Sequence, residues 1–468
     1  MLISLFIRRQ LPSVSTIKQT QRSCINVYCF RQSSNTASQS SSLALSAASS
    51  INDDFYSSPT FQCQGATFER DEWTNITPKI ISLVDRPSRL YNERRNPLHL
   101  LKSRIVKFFH SNYRKSKSQR SPLFAVQESL SPIVSVEQNF DSLLVPPDHV
   151  SRSRSDTYYL NTGTVLRSHT SAHQSDLLRS GLDCFLVIGD VYRRDKIDRT
   201  HFPAFHQIEG VRLFTDEELF QNHTGLELFD RSPSALRTTS KQEDHSSDAS
   251  ILLEQDLKST LESLARSLFG SDAQTRWVSS EFPFTYPSWE LEVEYNNEWL
   301  ELLGCGLVEQ RILNAAGAGS NRVGWAFGLG LERLAMKLYA IPDIRLFWST
   351  DTGFLSQFDT DEVEKDICYR PISRYPQLIN DISFWLPEGV DSCFDPSDFY
   401  DIVRSVAGDL IEQVFQFDTY RHPKTGRKSH AYRLVYRHME RTLSQAEISQ
   451  VHSEIGRVVA DKFGVELR

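Results

Sequence analysis

The chain has 468 residues, 39% of them apolar and 24% charged, which is enough to bury a substantial core and excludes a protein disordered by composition. Its formal net charge of −7 excludes a cation-coated, indiscriminate nucleic-acid binder, while leaving room for one local basic surface. Seven scattered cysteines form no CxxC pair and so no zinc signature, and no apolar run reaches the roughly 18 residues that span a membrane.

Residues 1–52 stand apart, because the first acidic residue is Asp53. Arg8, Arg9, Lys18, Arg22 and Arg31 sit there among many Ser and Thr, the composition of an organellar transit peptide. A cleaved leader is expected. Residues 53–120 read as an arm and linker holding one helix over 97–109, opened by Pro97. Residues 121–149 read as extended segments broken by Pro132, Pro146 and Pro147, and from 156 to 211 strands alternate with charged loops around one helix near 173–180. After a polar tract at 231–250, Leu252, Leu253, Leu257, Leu261, Leu264 and Leu268 make one stripe of a helix over 251–268. Strands follow at 276–284, 290–295, 298–303 and 323–327, and hairpin-length gaps such as Asn296-Asn297 predict an antiparallel sheet.

These segments make a first domain over 121–347, and residues 348–374 become acidic and irregular, a linker. In 375–468 a strand leads to a helix with Phe399, Ile402, Val403, Val406, Leu410 and Val414 on one face. A hairpin of two strands follows, then a helix opened by the capping box Ser444/Glu447, and a last short strand. The order βαββαβ predicts a ferredoxin-like domain, and the fold class is α+β.

The chemistry starts with GWAFGLGLERLAM at 324–336. It fails the dinucleotide fingerprint, since Arg333 stands at the third glycine and no parallel βαβ unit follows. Its glycines let a strand approach a ligand closely, and Arg333 can reach phosphate from the helix start. Taken alone, the motif reads better as holding a buried structural arginine. Arg193 follows the aliphatic strand FLVIGDVY. Two arginines on separate strands suit a bent nucleoside triphosphate, because the guanidinium fork binds phosphate oxygens bidentately.

Other signals are individually weak. His169, Ser171, Ala172, His173 and Gln174 crowd polar side chains into a turn before a helix, where any one could be a cap. Gln207 and Glu209 flank Ile208 and face one way, suiting an ammonium ligand or merely a polar surface. Phe282 and Phe284 put two rings together, as cores also do. Glu301, read as lying inward among leucines, needs a metal or cation as partner. Between residues 421 and 441, Arg421, Lys424, Arg427, Lys428, Arg433, Arg437 and Arg441 face one acid, Glu440, with Tyr420, Tyr432 and Tyr436 interleaved. Such a patch suits an RNA backbone and stacked loop bases, or a solvated hairpin.

Together these motifs resemble the class II aminoacyl-tRNA synthetases, and among them the single-chain organellar phenylalanyl-tRNA synthetases. The resemblance runs from about Pro122 to Arg468 through RSHTSAHQ, VYRRD, THFPAFHQIEG, FPFTYPS, WLELLGCG and GWAFGLGLERLAM, in the family's order. It implies an antiparallel catalytic sheet flanked by helices, with an anticodon-binding domain fused on, working as a monomer. It implies phenylalanine activation by ATP and transfer to tRNA(Phe), with Mg²⁺ beside the nucleotide. Arg193 would meet the α-phosphate and Arg333 the γ-phosphate, while Glu301 holds Mg²⁺ or nucleotide. His201, with Thr200 and Phe202 in its loop, would lie near the phosphates. Gln207, Ile208 and Glu209, with the 169–174 turn, would surround the amino acid's charged groups. Phe282 and Phe284 would face its ring, Ala326 and Gly328 would leave space for it, and Phe327 would stack near adenine or border the pocket.

An apolar pocket rejects an added hydroxyl only about a hundredfold, so some tyrosine mischarging is expected. Tyr286 and Val150 depart from bacterial relatives, which carry Glu and Pro there. The leader implies the mitochondrial matrix rather than a plastid. Removal of everything after about Arg370 is expected to spare adenylate formation and cripple tRNA charging. The rival reading is an inactive synthetase-like RNA-binding or regulatory protein; such proteins typically lose a phosphate arginine, and both are present.

Overall fold

The computed structural model describes residues 55–115, 121–221, 225–232, 235–371, 375–387 and 394–468. The expected leader lies outside the described residues. The chain divides into two units, Met1–Ser57 and Ser58–Arg468, and the second holds every element that follows.

A seven-stranded sheet is built from β1 (Ala125–Gln127), β2 (Cys184–Tyr192), β3 (Ala204–Phe214), β4 (Thr275–Phe282), β5 (Thr285–Tyr295), β6 (Glu298–Val308) and β7 (Val323–Gly330). Its order is β1-β2-β3-β7-β6-β5-β4, antiparallel except for the parallel pair β1/β2. All nine residues of β2 are buried, its apolar residues as in a strand inside a covered sheet and Asp190 through its ion pair with Arg167 at 3.1 Å. Three helices are α1 (Pro97–Asn112), α2 (Ser247–Phe269) and α3 (Leu331–Leu338). Pro97 at the start of α1 and the Asn96 cap, accepting from the Leu98 amide at 3.0 Å, set its N-terminus. The leucine stripe of α2 is buried at Leu253, Leu257, Leu261, Leu264 and Leu268, in one core with α1, α3 and the strand residues Ile208 and Phe327. Phe327 stacks on Phe109 of α1 at 5.5 Å between centroids. This packing needs a glycine opposite: a Cβ on Gly210 would lie 2.2 Å from the Phe327 ring.

The strands run further than their sequence pattern predicts, β5 opening at Thr285 and β6 reaching Val308. Hydrogen bonding across the ladder carries them past the alternation. The supposed linker is partly core, since Phe354 and Phe358 are fully buried in the main cluster. The arm also holds structure, a hairpin of Thr60–Cys63 with Ala66–Glu69 and a helix Pro78–Val84.

The C-terminal domain comprises β8 (Leu378–Trp385), α4 (Pro396–Ala407), β9 (Ile411–Arg421), β10 (Lys428–Tyr436), α5 (Gln445–Phe463) and β11 (Glu466–Leu467). The antiparallel order β9-β10-β8-β11 is that of a ferredoxin-like fold, with α4 and α5 packed together over the sheet. Gly408 ends α4 at a positive φ of 55°, so Leu410 and Val414 are not on the helix; Val414 belongs to β9.

Candidate active site

The sheet face opposite α1 and α2 carries two adjoining cavities of about 600 and 530 Å³. They share Arg193, Asp195, Gln207, Glu301, Gly304 and Gly328. Alternation along β3 turns Gln207 and Glu209 into the first cavity and Ile208 into the core behind.

Glu209 is only 3% exposed. One of its oxygens accepts from Ser171 Oγ at 2.6 Å and Thr170 Oγ1 at 3.0 Å. The other, Oε1, is buried without a hydrogen-bond partner among the described residues. Burial pushes the carboxyl up to about 7, against the pull of the two hydroxyls. A cationic group beside an acid so placed would relieve its desolvation. His169 lines the same wall, 6.0 Å from the Phe284 ring; burial, and after it the charge of Arg193, push its pKa down to about 3 and keep it neutral. Phe282 and Phe284 stack with centroids 6.0 Å apart and planes at 13°, and with Ala326 they give the cavity an apolar wall. At Gly328 a Cβ would meet nothing within 4 Å, so that space belongs to the cleft.

The second cavity is polar at its ends. Arg193, just past β2, is held by a 2.8 Å bond from Nε to the Ser168 carbonyl, with its guanidinium 5.2 Å from the Phe205 ring centre. Arg333, in the first turn of α3, pairs with Glu301 at 2.9 Å, and both side chains are about half exposed. Thr200, His201 and Phe202 line this cavity from the β2–β3 loop, with His201 Nδ1 2.7 Å from Asp198.

Several expectations are corrected. Glu301 is exposed on the cleft wall, not buried among leucines, because it lies on the side of β6 that faces the cleft; its cation is Arg333. Ala172, His173 and Gln174 are buried behind the cavity wall, where the turn Thr170–His173 packs against the body; His173 bonds Arg167 at 2.9 Å. Ile208 faces the core, and Phe327 turns its ring to the core on Phe109 while the residue still lines the first cavity. Tyr432 and Tyr436 are fully buried in the C-terminal core and cannot stack bases. Arg437 is held by the buried Glu412 at 3.1 Å. Arg433 pairs with Asp381 at 2.7 Å, and Arg427 with Glu466 at 3.0 Å. Lys424 lies in the β9–β10 hairpin loop, while Arg421 and Lys428 pair with each other in the flanking ladder. Tyr286 turns its hydroxyl to the Thr238 carbonyl at 2.6 Å. Sequence reasoning missed Thr170 and Phe205, although Phe205 continues the Gln207/Glu209 alternation and Thr170 adjoins Ser171.

The strand order, the paired arginines and the separate ferredoxin-like module together define the class of protein. The family model of the class II tRNA synthetase core domain matches residues 86–229 and 246–358, and that of the ferredoxin-fold anticodon binding domain matches 373–468. The chain is 48% identical over 427 residues to a probable mitochondrial phenylalanine–tRNA ligase of Drosophila melanogaster, covering 88% of this chain and 93% of that one. It is 51% identical to the mitochondrial phenylalanine–tRNA ligase of Mus musculus (86% and 88% covered) and 36% to that of Saccharomyces cerevisiae (88% and 95%). The chain belongs to the mitochondrial phenylalanine–tRNA ligase family of class II aminoacyl-tRNA synthetases.

Proposed function

We propose that phenylalanine and ATP meet across the shared wall of the two cavities, in a chain whose reaction is the ATP-dependent charging of tRNA with phenylalanine. The observation that carries this division is Glu209, a buried acid with one oxygen unpartnered among the described residues, facing an apolar pocket that joins an arginine-ended one. Glu209 and Gln207 receive the ammonium group, with Ser171 and Thr170 orienting the carboxylate of Glu209 and His169 beside them. Phe282 and Phe284 hold the phenyl ring, where aromatic pairs add about 0.5–1.5 kcal/mol beyond area burial. The substrate carboxylate then points at Arg193, which stabilises charge on the α-phosphate as that oxygen attacks in line; positioning and charge stabilisation do the work. Arg333 takes the γ-phosphate, and His201, Thr200 and Phe202 border the phosphates. Phe205, under Arg193, adds an aromatic face to the nucleotide side.

Magnesium carried by a nucleotide needs only one or two protein carboxylates, and Glu301, open to the cleft, fits that role. When bound, the ion would neutralise phosphate charge. Among the described residues no group of three or more His, Cys, Asp or Glu could hold a metal unaided. On the C-terminal sheet, Arg421, Lys424, Arg427, Lys428 and Arg433 form the tRNA-facing surface, with the exposed rings of Phe417 and Tyr420 in place of the buried tyrosines. The protein is mitochondrial, like the relatives named so, and we assign it to the matrix as a monomer. Phenylalanine-dependent ATP–pyrophosphate exchange tests the site: Arg193→Ala should lower kcat/KM at least a hundredfold, and full activity in that variant would sink the assignment.

A further inference from the structure

The β2–β3 loop begins on the wall that the two cavities share, at Arg193 and Asp195, and ends in the nucleotide-side cavity, at Thr200, His201 and Phe202. Its middle lies inside the C-terminal domain. Ile197 is 6% exposed and belongs to that domain's hydrophobic core, and its carbonyl accepts from the Val414 amide of β9 at 2.9 Å. Arg194, with a side chain 2% exposed, donates from Nε and Nη2 to Asp401 of α4 at 3.0 and 2.8 Å, and from Nη2 to Asp398 at 2.7 Å. Asp401 also accepts from the Tyr158 hydroxyl at 3.0 Å and pairs with Arg404, which returns to the carbonyls of Asp195 and Lys196. Further along, Arg199 pairs with Glu412, whose side chain is fully buried and is shared with Arg345 and Arg437.

A loop that must meet ATP is ordinarily drawn from the mobile part of a fold, and ordering it weakens binding. Here a second hydrophobic core and buried, bidentate ion pairs order it in advance. We propose that the C-terminal domain is a positioning element of the ATP site, acting through Ile197 and Asp401 on the loop that carries Arg193 and His201. Neither Ile197 nor Asp401 lines the two cavities, so neither touches a ligand there; Ile197 acts through that loop alone, and Asp401 through it and through Tyr158. The inference rests on the nucleotide reading of the second cavity. It reverses the expectation that adenylate formation is indifferent to the C-terminal domain.

The test is steady-state ATP–pyrophosphate exchange by the full chain, with the KM for ATP and for phenylalanine measured separately. In Ile197→Ala and Asp401→Asn the KM for ATP should rise five- to twentyfold, with a clearly smaller rise for phenylalanine, which meets the loop only at its start, and Ile197→Val should restore the wild-type value. Trypsin should also cut at Lys196 or Arg199 faster in the two loosened variants. An unchanged KM for ATP in folded Ile197→Ala, or equal rises for both substrates, overturns the proposal; Ile197→Ala decides alone if Asp401→Asn does not fold. Wild-type protein without phenylalanine-dependent exchange would instead refute the underlying site reading.

Discussion

At the residue scale, the role proposed for Glu209 would couple proton binding to substrate binding. Its folded pKa of about 7 lies above the ordinary carboxylate value of 4.5, so the folded chain holds that proton more tightly than the unfolded one. Its contribution to stability is therefore fully present below about pH 4.5 and lost as pH rises through 7. An ammonium beside the ionised form would offset that loss. The kcat/KM for phenylalanine should accordingly fall as pH drops below 7, approaching tenfold per unit, with Glu209→Gln lowering it at pH 8 and flattening the profile. Pyrophosphate exchange between pH 5.5 and 8.5 checks this, and an unchanged slope in the variant would remove Glu209 from the site.

At the element scale, the two faces of β3 and β7 divide the labour. Gly210 and Phe327 meet on the helix side, where a Cβ has no room, and Gly328 opens the cleft on the other. Gly210→Ala forces overpacking and should destabilise the fold by about 1–3 kcal/mol in urea unfolding. A neutral effect would mean that the Phe109–Phe327 stack yields easily. In the C-terminal sheet, none of the β9–β10 hairpin's cations Arg421, Lys424, Arg427 and Lys428 lines either cavity. Replacing Arg421 and Lys424 together by Ala should raise the KM for tRNA in aminoacylation roughly tenfold and steepen no dependence on ATP, as loss of phosphate contacts does. Equal effects on pyrophosphate exchange would place those residues elsewhere in the mechanism.

At the scale of the whole molecule, the C-terminal domain shares a hydrophobic core with the β2–β3 loop. Ending the chain after Arg370 exposes Ile197 and strips Arg194 of Asp398 and Asp401, so the loop loses the core and the ion pairs that order it. Such a chain should lose tRNA charging and also show an ATP KM raised at least tenfold in pyrophosphate exchange. Normal exchange by the truncated chain would mean that the loop holds its shape unaided.

Local sequence carried what local physics determines. The leucine stripe of α2, the Asn296-Asn297 turn, the βαββαβ order and the arginines Arg193 and Arg333 are all legible, because periodicity, turn chemistry and guanidinium geometry act over a few residues. Alternation along β3 likewise told that Gln207 and Glu209 share a face. Which face lines the cleft was decided only by tertiary packing, which put Ile208 and the Phe327 ring into the core and brought Thr170 and Ser171 to Glu209 from a distant turn. The same holds for the charges. Glu301 found Arg333 and Glu412 found three arginines across the fold, while Tyr432 and Tyr436 vanished beneath α4 and α5. Composition states which charges and rings a chain owns, but burial and pairing depend on segments far apart in sequence, and only the folded chain brings those together.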